Sequence, residues 1–177
     1  MKIIVVGTGF VGLCHAAVCS EYGHEVYAYD INPVRIAAYQ TGKTEEIERF
    51  INEPGLPAVI AENLNRYLFF TTDITAHIEG TDAIFLCLPT PPNPDGSSDL
   101  SYYFTAVEYL AELLAKRTDQ RRVVVINKST VPIGTARALE GVLNKHNVPN
   151  VGVLFDGARQ AAEFLPVGGN KQRIGAI

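Results

Sequence analysis

The chain has 177 residues, 47% of them hydrophobic and 19% charged, with a net charge of −4. That length predicts one domain with a self-sufficient core, roughly 70% of the unfolded chain's surface being removed from water. Mild acidity without a basic cluster excludes nucleic acid and anionic membrane as expected partners, and Arg121-Arg122 reads as a solvated strand entry rather than a binding patch.

Lys2-Ile-Ile-Val-Val6 reads as a buried strand, and Gly7-Thr-Gly-Phe-Val-Gly12 follows it directly. Val11 to Ser20 reads as a helix. Val26-Tyr-Ala-Tyr-Asp30 reads as a second strand, ending in an acid eighteen residues beyond Gly12. In a dinucleotide site each glycine has a mechanical role. Gly7 permits the tight turn, Gly9 lets the backbone approach a pyrophosphate, and Gly12 lets the helix pack closely on the strand. The phosphates then meet free N–H groups and the positive end of the helix dipole. Asp30 would accept hydrogen bonds from the adenosine ribose, which selects NAD because a 2′-phosphate would face a carboxylate. Arg35 argues for NADP and is outweighed by Asp30. FAD sites use the same fingerprint, and a glycine turn without a ligand is the plainer alternative.

A helix over Pro33–Tyr39 follows, with proline in its first turn. Thr41–Asn52 is polar and acid-rich and predicts a short exposed helix. Glu53-Pro-Gly-Leu56 punctuates it, with a further helix to Leu64. Leu68-Phe-Phe70 predicts a short strand and Ala83-Ile-Phe-Leu-Cys-Leu88 a strong buried one. Pro89 to Ser98 holds four prolines and an Asp-Gly pair, which excludes regular structure. This loop leaves the carboxyl end of a strand, where open α/β sheets bind ligands; a plain surface loop is the alternative. Asp99 or Ser101 caps the next helix, whose Phe104, Val107, Ala111 and Leu114 share one face. Val123-Val-Val-Ile126 is another buried strand, running into Asn-Lys-Ser-Thr130 and stopped by Pro132. Thr135–Lys145 predicts a helix and Val151–Phe155 the last strand. Strands separated by helices imply right-handed crossovers and a parallel sheet. The fold class is therefore α/β, a Rossmann-type doubly wound parallel sheet of about six strands in a single domain.

Cys14, Cys19 and Cys87 show no metal-like spacing and read as reduced, buried small hydrophobes. No metal is expected. His15, His24, His77 and His146 are scattered and read as structural or surface residues. No apolar run approaches the ~20 residues of a membrane span. The spaced glycines argue against residues 1–20 being a signal peptide, so the expected compartment is the cytoplasm.

With those blocks in place, the chain resembles the UDP-glucose/GDP-mannose dehydrogenase family, specifically its N-terminal NAD-binding domain. The residues that carry the resemblance are Gly7-Thr-Gly-Phe-Val-Gly-Leu13, Tyr29-Asp-Ile-Asn32 with Arg35-Ile36, and Glu53-Pro-Gly-Leu56. Leu88-Pro-Thr-Pro91, Asp95-Gly-Ser-Ser-Asp-Leu-Ser101 and Lys128-Ser-Thr-Val-Pro132 with Gly134-Thr135 follow in the family's order. The resemblance implies a two-step, NAD-dependent oxidation of a sugar nucleotide, from primary alcohol through aldehyde and a cysteine thioester to carboxylate. It implies that Gly7, Gly9, Phe10, Val11, Gly12, Asp30, Arg35, Thr90 and Thr130 line the cofactor site. Arg35 fills the family's basic position beside the adenosine, and Thr130 matches the threonine that holds NAD and positions a water. Thr90 and Thr130 could instead be turn or helix caps.

The departures from the family pattern are also informative. Several extra residues stand between Gly42 and Glu53. The family's SNPEFLREG block, whose glutamate helps hydrolyse the thioester, has no clear counterpart. Ala162-Glu-Phe-Leu165 with Gly168-Gly169 is one alignment of it and Asp156-Gly157 another. Glu163 is accordingly a second catalytic candidate beside Thr130, with a surface helix residue as its equal rival. Residues 1–155 are expected to form the NAD-binding domain and 156–177 a divergent tail of it. The substrate-binding and central helical domains, with the nucleophilic cysteine, are expected to be absent. The chain would then be a truncated or split dehydrogenase, taking a nucleotide sugar only when a catalytic domain completes it. A homo-oligomer or a separate partner chain is compatible with this. A non-catalytic NAD-binding module is the alternative. A different Rossmann oxidoreductase is another, although the sequence offers no convincing His–carboxylate pair.

Overall fold

The apolar run Lys2–Val6 forms the central strand β1, and its side chains divide between two cores by the two-residue period of a strand. Ile3 and Val5 face one side, and Ile4 and Val6 the other. Covering both faces is what makes such a strand near-continuously hydrophobic. The computed structural model describes residues 1–155 and the two-residue strand Leu165–Pro166.

Six strands run parallel: β1, β2 (Glu25–Tyr29), β3 (Leu68–Thr71), β4 (Ala83–Leu86), β5 (Val123–Asn127) and β6 (Val151–Phe155). β7 (Leu165–Pro166) adds antiparallel to β6, giving the order β3-β2-β1-β4-β5-β6-β7. The predicted sheet of about six parallel strands is present, and the seventh falls in the stretch whose sequence reads only as a tail. Helices α1 (Phe10–Glu21), α2 (Pro33–Gln40), α3 (Thr44–Glu48) and α4 (Leu56–Asn63) cover one face. On the other face lie α5 (Ser101–Ala115) and α6 (Thr135–Lys145). The order in which strands join the sheet reverses between β1 and β4, so the β1 and β4 exits flank its switch point.

Four elements differ from their sequence reading. β4 ends at Leu86 rather than Leu88, because the Leu88 N–H turns aside to the Ser129 hydroxyl (2.8 Å) ahead of Pro89. The segment that reads as a short exposed helix is anchored by Ile47 and Ile51, both buried. The proline loop folds back on itself through an antiparallel bridge between Pro92 and Ser98. Asp95 Oδ1 accepts both the backbone N–H and the hydroxyl of Ser97 (2.9 and 2.6 Å), and Gly96 supplies a φ of +84°. Side-chain turns thus impose order where the prolines forbid a ladder. At α5 the N-cap position is Leu100 rather than the predicted Asp99 or Ser101, although Asp99, one residue earlier, accepts the Ser101 N–H (2.8 Å); Val107, Ala111 and Leu114 are buried with Phe104 packed beside them.

Gly12 sets how closely α1 approaches the sheet. A Cβ there would lie 1.9 Å from the Gly7 carbonyl oxygen and 3.0 Å from Cys87 Cβ. Gly12→Ala must therefore push α1 off β1 and β4. We expect a loss of about 3 kcal/mol or more, measured as a melting temperature lower by roughly 6–12 °C.

Candidate cofactor site

The carboxyl ends of β1, β2, β4 and β5 bring together four segments far apart in sequence. β1 runs into the glycine turn, where Gly7 adopts φ +94° and its N–H bonds the Tyr29 carbonyl at 2.8 Å. A side chain is excluded here as well, since a Cβ on Gly7 would stand 2.5 Å from the Cys87 carbonyl oxygen. Gly9 differs, because a Cβ there would meet nothing within 4 Å. The fold has no internal need for glycine at this position, and the space beside its backbone is open. Gly9 is also the N-cap of α1 and no side chain caps that helix. The N–H groups of Phe10, Val11 and Gly12 consequently have no carbonyl within the helix to bond, at its electropositive end. Phe10 and Val11 are exposed.

At the end of β2, Asp30 is buried and its carboxylate gathers the surrounding chain. Oδ2 accepts the backbone N–H and hydroxyl of Thr8 and the Arg35 guanidinium, each at 2.9 Å. Oδ1 accepts the Asn32 N–H at 3.0 Å. Asn32 in turn caps α2 by accepting the Val34 and Arg35 N–H groups. From below, the buried Tyr39 hydroxyl donates to the Thr8 carbonyl at 3.2 Å. Burial pushes the Asp30 carboxyl up. The hydrogen bonds from Thr8, Asn32 and Arg35 more than offset that, holding it below the ordinary carboxylate value.

Across the switch point, the Thr90 hydroxyl donates to the Thr130 carbonyl at 2.7 Å, fastening the exit of β4 to that of β5. The buried Ser129 hydroxyl does the same one residue earlier, donating to the Leu86 carbonyl at 3.2 Å. Thr130 itself is exposed at the edge. The structure thus brings all the sequence-predicted positions from Gly7 to Thr130 to one edge of the sheet. Glu163 lies outside the described residues. Sequence reasoning misses Thr8, Tyr39 and Ser129. Thr8 reads as a spacer between two glycines, although a hydroxyl beside a turn is itself a bonding signal.

The cysteines bear on what this edge can do chemically. Cys87 is buried and its thiol is pushed up to about 11 by burial. Cys14 and Cys19 are half-buried rather than buried as predicted, because they lie on the flanks of α1, and burial raises both. None offers a thiolate near neutrality. Among the described residues no cluster of three metal-ligating side chains occurs. A His–carboxylate pair does exist, contrary to the sequence reading: His146 Nε2 and Glu108 Oε2 are 2.6 Å apart. It joins the carboxyl end of α6 to the middle of α5, away from the strand exits, as a clamp between helices.

Residues 1–168 match the model of the UDP-glucose/GDP-mannose dehydrogenase family, NAD binding domain. The chain belongs to this family. It is 38% identical over 148 residues to the uncharacterized protein MJ1054 of Methanocaldococcus jannaschii, covering 84% of this chain and 16% of that protein. It is 34% identical over 145 residues to the UDP-glucose 6-dehydrogenase TuaD of Bacillus subtilis, covering 81% of this chain and 29% of TuaD. The ternary complex of GDP-mannose dehydrogenase from Pseudomonas aeruginosa superposes with a TM-score of 0.77 at 27% identity, over 90% of this chain and 37% of that one. A UDP-glucose dehydrogenase from Pyrobaculum islandicum gives 0.74 at 31%, over 91% and 37%. The chain spans less than a third of the length of these two curated relatives and corresponds to the family's NAD-binding part. No helix among the described residues is long and apolar enough to cross a membrane.

Because Asp30 has a lowered folded-state value, its contribution to stability is complete above the unfolded carboxylate value near ~4 and is lost as pH falls through the folded one. Thermal or urea unfolding of the chain and of Asp30→Asn should differ by a constant amount from pH 7 to pH 5. The gap should close progressively in more acid solution.

Proposed function

We propose that this chain is the cofactor half of a nucleotide-sugar 6-dehydrogenase, which oxidises a sugar primary alcohol to a carboxylate with NAD. The observation that carries the reading is the pairing of an open space over Gly9, at an uncapped helix start, with an ionised carboxylate at the end of the next strand. In this reading the amides of Gly9 to Gly12 receive the pyrophosphate, and Phe10 and Val11 border it. Asp30 Oδ1, which receives one backbone N–H, takes a ribose hydroxyl. Arg35 stands beside the adenosine. Thr90 and Thr130 line the nicotinamide end, where Thr130 also holds a water near the reacting carbon. NAD, when bound, accepts the hydride.

Residues 1–155 act as the NAD-binding domain, with 156–177 continuing it and Glu163 as the candidate for the hydrolytic step. The thioester nucleophile is not among Cys14, Cys19 and Cys87, whose thiols are all held protonated near neutrality. It comes from a catalytic part beyond these residues or on a partner chain, which also supplies most of the nucleotide-sugar pocket. The cytoplasm is the proposed compartment, where NAD and sugar nucleotides are available.

Calorimetric titration with NAD⁺ tests this. The chain should bind NAD⁺, and Asp30→Ala should weaken binding about ten-fold or more, the size of a hydrogen bond to a charged acceptor. Gly9→Val should abolish binding while changing stability by no more than about 1 kcal/mol, since its Cβ enters open space. With UDP-glucose or GDP-mannose the chain alone should form no NADH. Steady turnover would refute the assignment of the nucleophile, and absence of NAD⁺ binding by a folded chain would refute the site.

A further inference from the structure

Between Gly42 and Glu53, α3 is followed by a half-buried phenylalanine, Phe50, whose ring lies beside Arg35 near the end of β2. Phe50 packs against the apolar core on the α1–α4 face, its ring meeting Tyr39 edge-on with centroids 5.8 Å apart. The Arg35 guanidinium lies over the Phe50 ring, its Cζ 5.7 Å from the centroid. The same guanidinium donates to Asp30 Oδ2 at 2.9 Å, while its buried Nε has no hydrogen-bond partner. Arg35 is therefore held between a carboxylate and a ring, with 30% of its side chain exposed. A cation so held is already neutralised, whereas one free to swing outward is the natural receptor for a phosphomonoester.

We propose that Phe50 is a positioning residue for cofactor selection: its ring backs the Arg35 guanidinium onto Asp30, so that the pair receives the 2′-hydroxyl of NAD and leaves no free cation for the 2′-phosphate of NADP. This rests on the reading of the cleft as the NAD site. Tyr39 supports the device twice, edge-on to Phe50 and through its bond to the Thr8 carbonyl. Three of the four hydrogen bonds to Asp30 fall on Oδ2, so Oδ1 is the oxygen with room for a hydroxyl. Ile47 and Ile51, buried in the same segment, anchor the stretch that carries Phe50.

The test measures NAD⁺ affinity by calorimetry and NADP⁺ affinity by displacement of NAD⁺, for the chain and for Phe50→Leu, Phe50→Met and Phe50→Tyr. Leucine and methionine fill the site without an aromatic face. Either should lower the NAD⁺/NADP⁺ preference by about two- to five-fold, the size of one exposed cation–π contact, mainly through tighter NADP⁺ binding. Tyrosine should retain the original preference. If the leucine variant does not fold, the methionine variant decides. An unchanged preference in the non-aromatic variants, equal weakening of both cofactors, or a shift that tyrosine shares would overturn the role of Phe50 while leaving the NAD site intact. Failure of the unmodified chain to bind NAD⁺ would overturn both.

Discussion

The carboxylate of Asp30 is the group on which the cleft depends. It ties the turn after β1 to the end of β2 through two bonds from Thr8, and it ties both to α2 through Asn32 and Arg35. An ionised group at this depth would be costly without partners. Four donors make it favourable, and they keep it ionised. The same arrangement fixes the glycine turn in the shape that exposes the amides of α1. Removing Asp30 would therefore loosen the glycine turn and the start of α2 together, even though Asp30 itself stands only at the end of β2.

Around that clasp, the sheet supplies placement. Parallel strands deliver their carboxyl ends to one edge, and the reversal of strand order between β1 and β4 marks the place where open α/β sheets bind ligands. Small bonds then fasten the chain there. Tyr39 holds the Thr8 carbonyl from beneath, while Thr90 and Ser129 link the β4 exit to the β5 exit. These bonds run from side chains to neighbouring backbone, so the edge is organised before a ligand arrives. Preorganisation of this kind reduces the ordering cost of binding. The three thiols, raised by burial and so protonated near neutrality, leave the edge suited to holding a cofactor rather than to covalent chemistry.

Most of this architecture is legible in the sequence because its signals are local. The apolar runs at Lys2–Val6 and Val123–Ile126, the glycine spacing and the acid at position 30 each report on a few adjacent residues. What escapes is the product of tertiary contact. The end of β4 is set by Ser129, more than forty residues away, and no periodicity announces that bond. The His146–Glu108 pair is invisible because its members come from different helices. Asp30 reads as a ligand group alone, since the pattern reports its position and not the donors that already occupy it. The hairpin in the proline loop shows the reverse: the composition excludes a regular ladder, yet Asp95 and Ser97 build order from side chains.

Hydrogen exchange at the Thr8 amide tests the clasp most directly. Thr8 is buried and its N–H is donated to a buried carboxylate at 2.9 Å, so exchange should be slow in the free chain. In Asp30→Asn the protection of Thr8 should fall sharply, while amides in the middle of β5 retain theirs. A Thr8 amide that exchanges without protection in the unmodified chain, or stays equally protected in the variant, would contradict the account: Asp30 would then not be what holds the glycine turn in place.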